Sequence, residues 1–469
     1  MARVASRGID TLEPTYQVAD SVTKKFILGS VVGLVVVTLL GLILSLERTG
    51  SLNSGFAPLS FLRLRPLHIQ AIIFAWLSMA LMGAIYYVVP RMVKRDLLSG
   101  ALGNLHFVLQ WVGIVLAIVT LLAGYSEGRE YLELIWPIDV AVVIVWAVFA
   151  ANIFGTILKS KATDIHPGLK FVSASILYLG LNYLMGNFIP LNGIQDDNMI
   201  WSWAHNAVNG WFMVGLMGVM YYVVPMLMGV GDRPNVNKTL STIHFWSLML
   251  FIPPSVLHHL LYDEAPVAVF WKEVGQWTSV GMLIPTGIWV YMFYNWVRMR
   301  NRPLNAAGHF FFASIVFYAL NCVQGATQSV IAINQAVHQT QWVIGHAHLA
   351  LVGWISFGLI GTIYAVVPLL FGREYSKSLA GWQLGTSVVG FTVMWLALSM
   401  AGVVEGGTLQ EQGYLSYYTL KSTLDPYLQA RTIFGALFTV STVIFLWNVY
   451  RTVLAPAREP LYAEAKRIV

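Results

Sequence analysis

Apolar residues run along this chain in long blocks separated by short polar segments. Twelve blocks have the length, about 20 residues, at which a helix rising about 1.5 Å per residue crosses a hydrocarbon layer of about 30 Å. They fall at 26–46, 67–90, 104–124, 138–158, 169–190, 203–229, 240–261, 276–298, 308–328, 342–370, 379–403 and 431–453. A backbone in lipid has to satisfy its own hydrogen bonds, so the pattern predicts an all-α polytopic fold of about twelve transmembrane helices. These helices form one integral membrane domain over residues 1–469, with short tails at both ends and a polar stretch after about residue 455. Neither a short internal repeat nor a soluble domain is expected.

Composition supports the same picture. Of 469 residues, 57% are hydrophobic and 11% charged, and mean hydropathy is +0.66; charge in soluble domains is about a quarter. The net charge of +6 does not point to nucleic acid, because the basic residues are divided among short loops. Lys24 and Lys25 precede the first block. Arg91, Lys94 and Arg95 follow the second, Lys159 and Lys161 the fourth, and Arg233 and Lys238 the sixth. Arg298, Arg300 and Arg302 follow the eighth, Arg373 and Lys377 the tenth, and Arg451 and Arg458 the twelfth. Every even-numbered loop is basic, which places those loops and both termini on the cytoplasmic side of the inner membrane. The odd loops face outward and carry Glu127, Glu130, Glu133, Asp196, Asp197, Asp263, Glu264, Glu405 and Glu411. The first 20 residues lack the apolar core of a cleavable signal, so the first block is expected to remain as a helix. Cys322 is the single cysteine, which excludes an intrachain disulfide, a CxxCH haem attachment and a two-cysteine copper centre in this chain.

Given that topology, six of the 11 histidines come to one depth near the outer side. His68, His205, His346 and His348 lie near the outer ends of outward-starting blocks, and His258 and His259 lie where the seventh block emerges. One histidine at a helix end is commonly an interfacial residue. Six converging from four helices point instead to metal ligation, since ionisable groups are costly in a membrane and imidazole is a common metal ligand. The other five, His106, His166, His244, His309 and His338, do not share the pattern. At about 100° per residue, His346 and His348 project about 200° apart, so one helix can serve two haems, one on each flank. His258 and His259 differ by about 100° and can turn towards one centre, with His205 as a third nitrogen. Three imidazoles leave coordination positions open for a diatomic ligand, and copper or iron suits redox work there. The abundant Trp, Tyr, Phe and Met residues are explained by interfacial belts and packing.

With these residues in place the chain resembles subunit I of the haem–copper oxidase superfamily, close to the branch of cbb-type oxidases and nitric oxide reductases. The likeness spans roughly residues 25 to 453. RLRPLHIQAIIFAW (63–76) resembles the second-helix low-spin haem motif, and WSWAHNAVNGWF (201–212) the sixth-helix metal motif. IHFWSLMLFIPPSVLHHLLY (243–262) resembles the seventh helix and QWVIGHAHLALVGW (341–354) the tenth. The resemblance implies that His68 and His348 are the axial pair of a low-spin haem b. It makes His346 the proximal ligand of a high-spin haem, and gives His205, His258 and His259 the non-haem copper or iron. In GREYLELIWPID (128–139) it implies that Glu130, with Glu133 nearby, binds a calcium ion between haem propionates, oxygen ligands suiting that hard cation. In DPYLQARTIFG (425–435) it places Arg431 against a propionate.

Two departures from the family pattern matter. In cbb-type oxidases a tyrosine six residues before the His-His pair is crosslinked to the sixth-helix histidine and supplies an electron and a proton for splitting dioxygen; here that place is Ile252. Nitric oxide reductases carry a glutamate one turn beyond the sixth-helix histidine and another on the eighth helix; here these are Asn209 and Met282. The amide of Asn209, on the face of His205, is expected to ligate the metal or hydrogen-bond to NO. The expected activity is reduction of two NO, with two electrons and two protons, to N₂O and water. Alternatives are a terminal oxidase using a different tyrosine (Tyr221 and Tyr222 lie too deep), an NO dismutase, or a redox-silent transporter or haem-binding sensor that needs no third metal. Ser241, Thr242 and His244 are candidate starts of a proton path, with no efficient pumping expected. The expected partners are membrane lipid and, as electron source, a small membrane-anchored cytochrome c or cupredoxin subunit, or quinol.

Overall fold

The computed structural model describes residues 15–52, 55–230, 237–262, 265–412 and 417–456, with side chains at 412 and 417–419 left aside. Arg233, Asp263, Glu264, Arg458 and most of the polar tail lie outside the described residues. Among those described, 11 helices are long and apolar enough to cross a membrane. They are α1 (Gln17–Thr49), α2 (Phe61–Met92), α3 (Gly100–Ala123), α4 (Trp136–Leu158), α5 (Pro167–Phe188), α6 (Ile194–Met228), α7 (Lys238–Leu260), α9 (Ala306–Gln328), α10 (Gln341–Phe371), α11 (Lys377–Gln412) and α12 (Tyr417–Leu454). The remaining expected span, α8, is present as two shorter pieces, Val269–Gly281 and Leu283–Met299. Pro285 lies four residues after Gly281 and has no N–H to return to its carbonyl, which accounts for the break.

Polar caps start several of these helices. Ser99, Asn237, Asn305 and Thr340 each accept a backbone N–H at the first turn of α3, α7, α9 and α10, satisfying donors that a helix start leaves free. Several helices exceed the apolar blocks that signalled them. Hydropathy registers only the lipid-crossing part, and α6, α11 and α12 continue through polar residues at the end where the histidines lie. Asp196 and Asp197 therefore stand in the first turn of α6, where acids suit the positive end of the helix. Glu405 and Glu411 stand within α11, in a helix and not in the loop that sequence indicated.

The centre of the bundle is built from α2, α6 and α10. Their apolar stretches are 89%, 83% and 94% buried, against 28–50% for the other spanning helices. These three also share a sequence pattern of long period, one copy in each third of the chain, which is distinct from the short repeat that is absent. Trp76, Trp211 and Trp354 correspond, as do Gly83, Gly218 and Gly361, Tyr86, Tyr221 and Tyr364, and the Val-Val-Pro runs ending at Pro90, Pro225 and Pro368. The matching residues make matching contacts. Trp76 donates to Ser356 Oγ at 2.8 Å and Trp211 to Ser78 Oγ at 3.1 Å. For the third tryptophan, Trp354, the corresponding partner position is Met213, and its N–H has no partner among the described residues. The tyrosines reach outward to the following helix: Tyr86 to His106 Nδ1 at 2.9 Å, Tyr221 to His244 Nδ1 at 2.9 Å, and Tyr364 to Gln383 at 2.5 Å. His106 and His244 are thus each held through Nδ1 by a tyrosine of the central helices. Interhelical hydrogen bonds in membranes average about 0.6 kcal/mol, so these set helix rotation more than they add stability.

Each central helix opens into a wider π-helical turn just beyond its histidines, at Ile72–Ser78, Ala207–Met213 and Leu349–Ser356. Such turns weaken the regular backbone ladder and concentrate at functional sites. Side chains take up the exposed carbonyls: Gln110 donates to Phe74 O at 3.0 Å and Ser314 to Trp354 O at 2.8 Å.

Candidate metal and haem centre

The three-histidine group assembles from α6 and the end of α7. Pro253 and Pro254 remove two N–H donors from the last turns of α7, and the chain tightens into a 3₁₀ turn over Val256–Leu260. At about three residues per turn, the neighbours His258 and His259 are rotated by about 120°, somewhat more than an α-helix would give. Their ring centres are 4.2 Å apart, and lie 5.1 and 5.6 Å from that of His205. One nitrogen from each of the three falls within 4.8 Å of the other two, and no other such His, Cys, Asp or Glu group occurs among the described residues.

Neighbours decide which nitrogens are available. His205 Nε2 lies 3.2 Å from Ile252 O and 3.0 Å from Ser255 Oγ, with the Asn209 amide nitrogen at 3.4 Å, leaving Nδ1 open. His258 Nδ1 is 2.9 Å from Ser279 Oγ, leaving Nε2 open. The ring of His259 is covered by Trp201, 4.3 Å away and inclined by 8°. The Asn209 amide also donates to His205 O at 3.0 Å. These contacts fix ring orientation and tautomer, the usual task of groups behind metal ligands. Replacing Ser279 with alanine is expected to weaken metal retention about 10- to 100-fold while leaving haem content unchanged, as measured by equilibrium dialysis against a chelator.

Across α10, the rings of His68 and His348 are 6.4 Å apart and inclined by 18°. That is too far for ring contact. Two imidazoles on opposite sides of one iron, each with a metal–nitrogen distance of about 2 Å, stand about 6 Å apart between ring centres. His68 Nδ1 is anchored to Val37 O at 3.1 Å and His348 Nδ1 to Ile344 O at 2.8 Å, so Nε2 is the free nitrogen of both. The pair fits a haem. His346 points to the other flank, within electrostatic reach of His205 and His258, and its buried Nδ1 has no partner. Close glycines give these rings room: a Cβ at Gly41 would come within 2.8 Å of His68, and one at Gly325 within 3.1 Å of His346. Arg431 donates to Ser45 Oγ at 2.7 Å, meets no carboxylate among the described residues, and lies within electrostatic reach of His348, a setting that suits an anionic propionate.

The loop between α3 and α4 folds back over this end of the bundle. Glu130 pairs with Arg65, and Glu133 accepts from Gln70. Burial pushes the Glu133 carboxyl above its ordinary range, with the Gln70 bond opposing. Tyr131, at a φ of 65°, offers its carbonyl to Trp203 at 2.9 Å and Gln70 at 3.3 Å, tying α6 to α2. Of the proposed proton path, Ser241 and His244 are buried, and His244 meets Tyr221, which in turn donates to Met292 Sδ at 3.2 Å.

Sequence reading missed Trp201, Ser255 and Ser279. Trp201 was detectable, since it stands four residues before His205 on the same helix face. The serines come from other elements and carried no local signal.

The family model described as cytochrome c and quinol oxidase polypeptide I matches residues 21–437. The cbb3-type cytochrome c oxidase subunit CcoN1 of Stutzerimonas stutzeri is 32% identical over 443 residues, covering 89% of this chain and 91% of that protein. A cytochrome c oxidase subunit 1 homolog of Agrobacterium tumefaciens is 31% identical over 471 residues, covering 94% and 85%. A nitric oxide reductase subunit of Stutzerimonas stutzeri is 25% identical over 459 residues, covering 92% and 94%. A solved heme-copper terminal oxidase dimer matches with a TM-score of 0.80 at 15% identity, over 95% of this chain and 85% of that one, a likeness of fold.

Proposed function

The chain belongs to the cytochrome c and quinol oxidase polypeptide I family, within the haem–copper oxidase superfamily, and from that premise we propose that its substrate is nitric oxide. As a family member it is a membrane-embedded oxidoreductase of respiratory electron transport. The proposed reaction takes two NO, two electrons and two protons to one N₂O and one water. One observation carries the choice of NO: His205 Nε2 faces the carbonyl of Ile252 and the hydroxyl of Ser255, where a cbb-type oxidase would join this histidine to a tyrosine. A site without that phenol lacks one source of an electron and a proton, a shortage that matters for four-electron cleavage of O₂ and not for two-electron coupling of NO.

In this reading His68 and His348 hold a low-spin haem b, His346 a high-spin haem, and His205, His258 and His259 a copper or iron ion. When bound, these centres supply one-electron steps and open coordination positions for the diatomic substrate. The protein's part is to hold the rings. Ile252, Ser255 and Asn209 set His205, Ser279 sets His258, and Trp201 covers His259. Arg431 balances a propionate, and Glu130 with Glu133 supplies carboxylate oxygen to a calcium ion, Glu130 sharing its charge with Arg65. Apolar walls admit uncharged NO from the lipid. Electrons come from a small cytochrome c or cupredoxin subunit, or from quinol, at the cytoplasmic membrane with the haem side outward.

Oxygen reduction is the second reading, and the relatives favour it: those about 30% identical are named as oxidase subunits, whereas the nitric oxide reductase relative is at 25%. The purified assembly, given an artificial electron donor, is expected to form N₂O from NO without oxygen and to consume O₂ much more slowly. Fast O₂ uptake with little N₂O would establish the oxidase reading.

A further inference from the structure

Glu405 is a buried carboxylate, 8% exposed, that no step above employs. It lies on α11 between two glycines that bring that helix unusually close to the start of α10 and to the short helix Ile331–Val337 just before it. A Cβ at Gly402 would come within 2.0 Å of the Trp342 nitrogen, and one at Gly406 within 1.8 Å of Ala336 O. Residues 402, 405 and 406 share one helix face, so the two bare positions press the Glu405 side chain onto the helix end. There its Oε2 accepts the Gln341 N–H at 2.8 Å, while Thr340 Oγ1 accepts that of Trp342 at 3.3 Å. Both contacts fall on the first turn of the helix that carries His346 and His348.

A helix start bears roughly half a positive charge, and a carboxylate there offsets it. His346 and His348 follow Gln341 by five and seven residues, about 8 and 11 Å along the axis; that is past the first turn, where the helix end itself acts most strongly, but within the range of a full charge in a low-dielectric interior. Two cations stand on this side of the bundle: Arg48 within electrostatic reach of Glu405, and Arg431 within reach of His348. Without the carboxylate, the guanidinium groups would favour the reduced, less positive form of any iron held by these rings.

We infer that Glu405 is a positioning residue for α10: it fixes the start of the helix that presents both haem ligands and holds down the reduction potentials of both haems together. The inference rests on the reading of His346 and His348 as haem ligands. Its test is a spectroelectrochemical titration of the purified assembly, haem content being measured first. In Glu405→Gln, which keeps the size and an acceptor oxygen, both midpoint potentials are expected to rise, with Glu405→Asp closer to the wild type. Glu411→Gln, at an exposed acid on the same helix, should leave both unchanged. If Gln at 405 sheds haem while Asp retains it, the need for charge is supported by retention alone. Wild-type potentials in Glu405→Gln, a rise confined to one haem, or Asp behaving like Gln would overturn the inference. A wild-type protein without haem would instead sink the ligand assignment beneath it.

Discussion

Alanine at His258 is expected to strip the non-haem metal from the protein and lower turnover by about 100-fold or more, while the low-spin haem spectrum stays as in the wild type. The basis is the independence of two ring clusters. His258 contributes one of three nitrogens gathered within 4.8 Å, and removing one ring leaves two, too few for an open site that also has to bind substrate. Loss of groups behind a ligand already costs about 10- to 100-fold, and loss of the ligand itself costs more. The His68–His348 pair, by contrast, is anchored by Val37 and Ile344, neither of which belongs to the 3₁₀ turn that bears His258. Metal analysis with an optical spectrum of the same sample checks this. A variant that keeps its third metal, or loses the low-spin band with it, would contradict the separation.

The second large effect is a double dissociation within a single turn of α10. His348→Ala is expected to abolish the low-spin spectrum and keep the carbon monoxide-binding signal of the high-spin haem. His346→Ala is expected to do the reverse. The two residues are only two apart, so a general disturbance of the helix would damage both signals in both variants. Opposite projection makes the losses separate: His348 stands 6.4 Å from His68, while His346 turns to the flank where Gly325 and the three-histidine group lie. Reduced-minus-oxidised and carbon monoxide difference spectra of the two variants distinguish the outcomes.

The convergence of the six histidines was readable in advance because span length and loop charge together assign a depth to every residue in a polytopic protein. Depth narrows which histidines can meet, and it left out His338, which also comes within electrostatic reach of His258 and His259. Glu405 was misread for the same reason: an acid at the edge of an apolar block reads as loop, and only the extension of α11 beyond the hydrocarbon layer shows it inside a helix. The α8 break was implicit in Pro285, but as a lone proline within an apolar run it gave no warning that the span would divide. The shared pattern of α2, α6 and α10 escaped notice because its copies are far apart, and its meaning appears only where Trp76 and Trp211 reach the serines of neighbouring copies.

Pattern and composition were enough to determine that the chain is a bundle of membrane helices with imidazoles gathered at one end, since both follow from the cost of polar groups in hydrocarbon and from helix rise. The tertiary structure alone decided which nitrogen of His205 and of His258 is free and what covers the ring of His259. That depends on a carbonyl of Ile252, hydroxyls of Ser255 and Ser279 and an indole face of Trp201, brought to the rings by turns within helices and packing between them. Such contacts form across the bundle over a few ångströms; the spacing of Trp201 and His205 on one helix hints at one of them, and the others come from separate elements with no local signal.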